Sequence, residues 1–230
     1  RRVGGGLLRQ VVLVGDGLAG GEVGAAEQNS VDVLVTPHDA LGEAGGATGV
    51  QQVDVVFAAR AEITLGPQKL LVLEGIHGLN PELLSDVVPP NQVFRIFIQP
   101  LLTLPIDKVS HVNPSDLRLL RRIVRDRRQR GFATEDNIRR WGDVRAGEHA
   151  YIFPHVDRAD AVFDTSLIYE MSVLKVYADR YLLEVPPQSA SYATAFRLRQ
   201  LLEQFVAVSP DDVPSTSILR EFIGAGSFEH

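Results

Sequence analysis

The hydrophobic positions change character along the chain. In the first third they come as short runs, at residues 11–14, 31–35 and 53–57, each of strand length. Between these runs stand Gly20, Gly21, Gly24, Gly42, Gly45 and Gly46. Glycine in a helix interior is about 1 kcal/mol worse than alanine, so this region predicts strands and turns and no helix. Further on, residues 70–73 are a continuous apolar run of the kind that forms a buried parallel strand, and residues 93–98 are a second strand-like run around Arg95. The pattern then turns helical. Asn113-Pro114-Ser115-Asp116 combines a capping side chain with a proline in the first turn, and predicts a helix over residues 114–130 that stops at Gly131. Thr134-Glu135-Asp136 opens a second helix towards Trp141. Residues 161–163 form a short strand. Helices follow over 166–183, ended before Pro186-Pro187, over 192–205 and over 217–223. Strands alternating with helices give an α/β layer fold.

Composition narrows the function classes. Apolar residues make up 45% of the 230, which is globular and not disordered. No run of about 18 apolar residues exists to form a spanning helix. Cysteine is absent, so disulfides, thiolate metal sites and a cysteine nucleophile are excluded. Without a charged-apolar-small leader, the expected compartment is the cytoplasm. The net charge of −6 gives no reason to expect nucleic acid. That average conceals a basic middle, because ten arginines lie between Arg118 and Arg145.

At 100° per residue, Arg118, Arg121, Arg122 and Arg125 share an arc of about 100° on the first predicted helix. Leu117, Leu120 and Val124 form the neighbouring core face, and Arg130 stands beside Gly131. Gathered guanidiniums repel unless an anion sits against them, and Asp116 and Asp126 are too few to neutralise them all. A solvated face, a phosphate ligand, a protein partner and nucleic acid all fit this spacing; guanidinium forks suit phosphate oxygens well. A second candidate is Glu74, which ends the apolar run at 70–73. An acidic residue at the carboxyl end of a parallel strand stands at the usual ligand edge, where it binds magnesium or a substrate hydroxyl, or merely caps the turn. Leu167, Met171, Leu174 and Ala178 read as core positions, and Asp157, Asp160 and Asp164 as loop and strand-end residues.

Taken together, Val72-Leu73-Glu74-Gly75-Ile76-His77-Gly78-Leu79-Asn80-Pro81, Asp116-Leu117-Arg118-Leu119-Leu120-Arg121-Arg122-Ile123-Val124-Arg125-Asp126, Tyr151-Ile152-Phe153-Pro154 and Ser217-Ile218-Leu219-Arg220-Glu221-Phe222-Ile223-Gly224 resemble the uridine kinase and phosphoribulokinase family of P-loop kinases. The likeness is strongest to its long bacterial nucleoside kinases. It covers about residues 66–228. It implies a P-loop kinase-like parallel sheet flanked by helices, and an ATP- and Mg2+-dependent transfer of the γ-phosphate to a nucleoside or similar small hydroxyl substrate. By that resemblance Glu74 lies by the metal and substrate. The arginine helix belongs to a lid, with Arg122, Arg125 and Arg130 on the phosphates and Arg118 and Arg121 as further nucleotide contacts. No nucleic acid or membrane partner is implied, and assembly into a homo-oligomer is left open.

The front of the chain departs from that pattern. The family's Gly-x-x-x-x-Gly-Lys-Ser/Thr phosphate loop is absent. In the stretch at residues 15–22, Gly21 stands in place of the lysine and Glu22 in place of the hydroxyl. About 54 residues separate Gly20 from Glu74, against roughly twice that number in the family. The same glycines satisfy Gly-x-Gly-x-x-Gly, but three glycines in the helix that should follow argue against a dinucleotide site. Two units are therefore expected: an atypical Gly-rich segment, 1–65, truncated or non-native, and 66–230, the C-terminal portion of a kinase domain. The alternative function is a non-catalytic fragment or relative without the phosphate loop, binding an anion or a protein.

Overall fold

A computed structural model describes residues 9–14, 30–33, 61–64, 71–84, 88–101, 105–106, 108 and 111–227. The predicted strand at 53–57 and the glycine stretch at 15–22 lie outside these residues. The described chain is mixed α/β. Strand β1 spans Arg9–Val14, β2 Ser30–Val33, β3 Ala61–Thr64, β4 Leu71–Gly75, β5 Val93–Gln99 and β6 Ala161–Asp164. The helices are α1 Pro114–Gln129, α2 Thr134–Tyr151, α3 Glu170–Leu183, α4 Tyr192–Glu203 and α5 Arg220–Ile223.

Four strands form one sheet in the order β4-β1-β5-β6, and β2 and β3 pair separately as an antiparallel ribbon. Strands β5 and β6 are parallel, with Gln99 opposite Asp164. Strand β1 runs antiparallel to both its neighbours, placing Val11 opposite Glu74 on one side and Ile96 on the other. So β4, β5 and β6 point one way, as a parallel sheet requires, and β1 lies reversed between them. Strand β4 is an edge strand with Val72 exposed, not the buried strand its apolar run suggests. The aspartates at 160 and 164 tie β6 down at both ends. The Asp160 carboxylate accepts from the Arg95 backbone N–H (2.7 Å) and Asp164 from that of Leu101 (2.9 Å).

Helix α1 is the axis of the main core. Leu117, Leu119, Leu120, Ile123 and Val124 are buried against Met171, Val173, Leu174 and Ala178 of α3, Leu198 and Leu202 of α4, and Phe222 and Ile223 of α5. The ends of α1 follow from local chemistry. Asn113 Oδ1 accepts from the Ser115 N–H (2.8 Å), and Gly131 takes φ +69°, a left-handed stop that a side chain disfavours. Helix α2 runs ten residues past the predicted Trp141. It continues through Gly142 and Gly147 because α1 supplies the anchors Arg118 and Arg122 that hold α2 along its length. Helix α3 starts at Glu170, later than predicted, because the Asp164 carboxylate draws Ser166 into a turn (Ser166 N–H to Oδ1 2.9 Å). A second, smaller core joins Leu79, Phe97 and Ile152, with Phe153 and Val156 packed on it. It fastens the turn after β4 to the carboxyl end of α2.

Candidate phosphate site on the arginine helix

Helix α1 packs so completely that three of its arginines are buried: Arg118, Arg121 and Arg125. Buried guanidiniums require carboxylate or carbonyl partners, and two of these have their own. Arg118 makes a two-pronged pair with Glu148 of α2, one bond at 2.8 Å, and lies over the Trp141 ring. Arg121 donates from Nε to Glu170 (2.7 Å), and from its other nitrogens to the Thr165 hydroxyl (3.2 Å) and carbonyl (2.7 Å). Burial raises the Glu170 carboxyl above its ordinary pKa, and the Arg121 charge works against that rise. Arg118 and Arg121 thus stitch α1 to α2 and to the end of β6. Both guanidiniums, expected as nucleotide contacts, are engaged with protein groups in this structure. The carboxylates that neutralise them lie 30 and 49 residues away along the chain.

The remaining three arginines meet. Arg122, Arg125 and Arg130 converge on the buried carboxylate of Asp126. Arg125 Nε and Nη2 lie 2.9 and 2.8 Å from Oδ1, Arg130 Nη1 lies 3.4 Å from Oδ1, and Arg122 Nε lies 3.4 Å from Oδ2. Arg122 Nε also donates to Asn137 Oδ1 of α2 (3.0 Å). Burial lowers the Arg122 pKa from its ordinary value. Asp126 opposes this, and the nearby Arg125, Arg130 and Arg140 cations lower it further. Arg130 is lowered by burial and by Arg125, against Asp126 and Glu221. Three cations thus share this one carboxylate, with Glu221 acting on Arg130 and Arg140 on Arg122 from outside the group. Arg125 Nη1 is buried with no hydrogen-bond partner, an unsatisfied donor in a cationic pocket.

Glu74 is exposed near the carboxyl end of β4. Because β4 and β6 point the same way, it stands at the sheet edge that also carries Asp164 and Thr165. Three strand spacings of about 4.8 Å set β4 roughly 14 Å from β6. Glu74 and the arginine cluster are not brought together. The turn after Glu74 packs through Leu79 on Ile152, past the carboxyl end of α2, whereas the cluster meets α2 at Asn137 in its first turn. The 18 residues of α2 span about 27 Å. In the same turn, burial lowers the His77 imidazole below its ordinary pKa of 6.5. Among the described residues, no three His, Asp or Glu side chains gather in a way that would hold a metal ion by themselves.

Sequence reasoning found the three converging arginines and missed Asn137, which joins them only because α2 folds back along α1. The reversal of β1 was also beyond it. Val14 pairs with Leu71 and Val93, so the chain leaves β1 at the edge where β4 and β5 begin, opposite Glu74. Among the described residues no helix is long and apolar enough to cross a membrane. A comparison with protein families matches residues 47–170 to the Phosphoribulokinase / Uridine kinase family. Searches of the curated proteins and of the solved structures give no match.

Proposed function

Because the chain belongs to the phosphoribulokinase / uridine kinase family, we propose that it acts as an ATP-dependent phosphotransferase towards a nucleoside or similar small hydroxyl substrate. The observation that carries this reading is the cluster of Arg122, Arg125 and Arg130 around a single aspartate, with Arg125 Nη1 left unsatisfied. Such a cluster suits an anion of more than one charge, and phosphoryl transfer depends on guanidiniums placed where phosphate charge develops. ATP supplies the transferable phosphoryl group, and magnesium neutralises its phosphate oxygens. Arg122, Arg125 and Arg130 would hold the phosphates. Glu74 would contribute one oxygen towards the metal or the substrate hydroxyl, with phosphate oxygens completing the set. Asp126 keeps the three guanidiniums together before any ligand arrives. The separation of Glu74 from the cluster means that both engage one nucleotide only after closure of the arginine segment over the sheet edge. The substrate is a small molecule, the working compartment the cytoplasm, and residues 66–230 the catalytic portion.

The test is phosphoryl transfer from ATP with magnesium to a panel of nucleosides and other small alcohols. Arg125→Ala should lower the rate more than about tenfold, as expected for loss of a transition-state cation; a smaller loss argues against a phosphate role. The position of β1 favours a second reading. With its carboxyl end opposite Glu74, the chain as it stands would bind an anion or a protein without transferring phosphate. Magnesium-dependent ATP turnover by the 230-residue chain would dismiss that second reading.

A further inference from the structure

Helices α1 and α2 are antiparallel, and their contacts step in register. Arg122 meets Asn137, and Arg118, one turn back on α1, lies over Trp141, one turn forward on α2. The same register sets Arg125 opposite Thr134, three residues on along α1 and three back along α2. Both positions carry an orphan. The Thr134 Oγ1 is buried without a hydrogen-bond partner, as is Arg125 Nη1, and the two residues are 2% and 3% exposed. A buried guanidinium N–H and a buried hydroxyl, each without a partner at neighbouring positions of two packed helices, would both gain from an oxyanion that reaches them.

The backbone adds donors at the same place. The residue capping α2 is Ala133, which offers no side-chain oxygen, so the first N–H groups of an 18-residue helix have no side-chain cap. The acidic residues of that first turn are engaged elsewhere. Glu135 accepts from the Ser189 hydroxyl (2.8 Å) and Asp136 pairs with Arg139. Asp126 pairs with Arg122, Arg125 and Arg130, and Glu221 acts on Arg130.

We propose that the Thr134 hydroxyl and the amino end of α2 form a phosphate-oxygen subsite shared with Arg125, so that a bound polyphosphate bridges α1 to α2. This rests on the phosphate reading of the arginine cluster and adds a residue to it. The threonine contributes a neutral donor, with geometric selectivity that charge alone does not give. A tetrahedral oxyanion reaches both helices at once, whereas a chloride ion or a planar carboxylate has fewer oxygens to share between them.

Inorganic tripolyphosphate, titrated into the full chain, is the probe. Trp141, the single tryptophan, lies on the α1–α2 contact and reports binding by its fluorescence; calorimetry gives an independent affinity. Thr134→Val keeps the shape and removes the hydroxyl. It should weaken tripolyphosphate about tenfold or more, as loss of a charge-assisted hydrogen bond does, without lowering the melting temperature of the ligand-free protein. Thr134→Ser should restore most of the affinity. Should Thr134→Val fold poorly, Thr134→Ala tests the same loss through the tripolyphosphate-induced rise in melting temperature. Unchanged affinity in the valine variant, with weaker binding in Arg125→Ala, overturns the subsite and leaves the arginine reading standing. Unchanged affinity in both overturns both. A ligand-free valine variant that melts lower yet binds normally assigns the hydroxyl to a buried water and refutes the proposal.

Discussion

Asp126 holds together three like charges that would otherwise repel. Asp126→Asn removes the buried charge and leaves its partners facing one another, and breaking a buried pair costs about 3–5 kcal/mol. We expect the lower half of that range, since Arg122 and Arg130 retain some contact with water. Added tripolyphosphate should recover much of the loss, which urea unfolding with and without the anion would register. His77 gives a test by pH. Its pKa is lowered in the fold, so an unfolded imidazole takes up its proton near pH 6.5 and the folded one only at lower pH. Its contribution to stability is complete above pH 6.5 and lost as pH falls through the folded pKa. Between pH 8 and pH 5 the wild-type chain should therefore lose more stability than His77→Gln. At this scale the sequence was legible where chemistry is local. Asn113 and Gly131 bound α1 as read, because a cap acts within a few residues. That Arg118 and Arg121 are buried in pairs was not legible, because their partners, Glu148 and Glu170, come from other helices.

At the scale of elements, α1 is fastened from three sides, and the fastenings differ in kind. The Arg121–Glu170 pair joins α1 to α3 in a dry environment. Arg121→Met or Glu170→Met alone should destabilise by about 3–5 kcal/mol, while the Arg121→Met, Glu170→Met double variant should lose much less. A double-mutant cycle in urea would distinguish this from a simple packing contribution. Gly131 is a gentler case. An added Cβ meets nothing within 4 Å, so Gly131→Ala should lose only the backbone preference, about 1 kcal/mol, visible as a small fall in melting temperature. Helix α2 marks the limit of pattern reading. Its two glycines and weak apolar stripe conceal a helix whose support comes from α1. Strand direction was equally hidden, since residues 11–14 are the same apolar run whichever way they are paired.

At the scale of the described molecule, the main core is helical, drawn from residues between Val112 and Ile223, and the sheet has a separate small core of Leu79, Phe97 and Ile152. The two should open separately. Amide hydrogen exchange is expected to be at least about tenfold slower in the middle of α1 and α3 than in β4, where β1 is the one paired neighbour among the described strands. Equal protection in both would show one cooperative unit. The α/β class and the segment carrying the arginines were readable because they rest on periodicity within single elements. The distance between Glu74 and the arginine cluster was not, because it depends on where α2 ends.

The reversed β1 also has a consequence for synthesis. The strand pairs with residues that leave the ribosome about sixty and about eighty positions later, an interval of several seconds at roughly 5–20 residues per second. For that time Arg9–Val14, with its apolar stretch at residues 11–14, has both hydrogen-bonding edges bare, while the helices that make the main core have yet to be translated. A nascent chain in that condition is a natural substrate for chaperones that hold extended apolar segments. Its yield in a cell should depend on translation speed more steeply than its final stability would suggest.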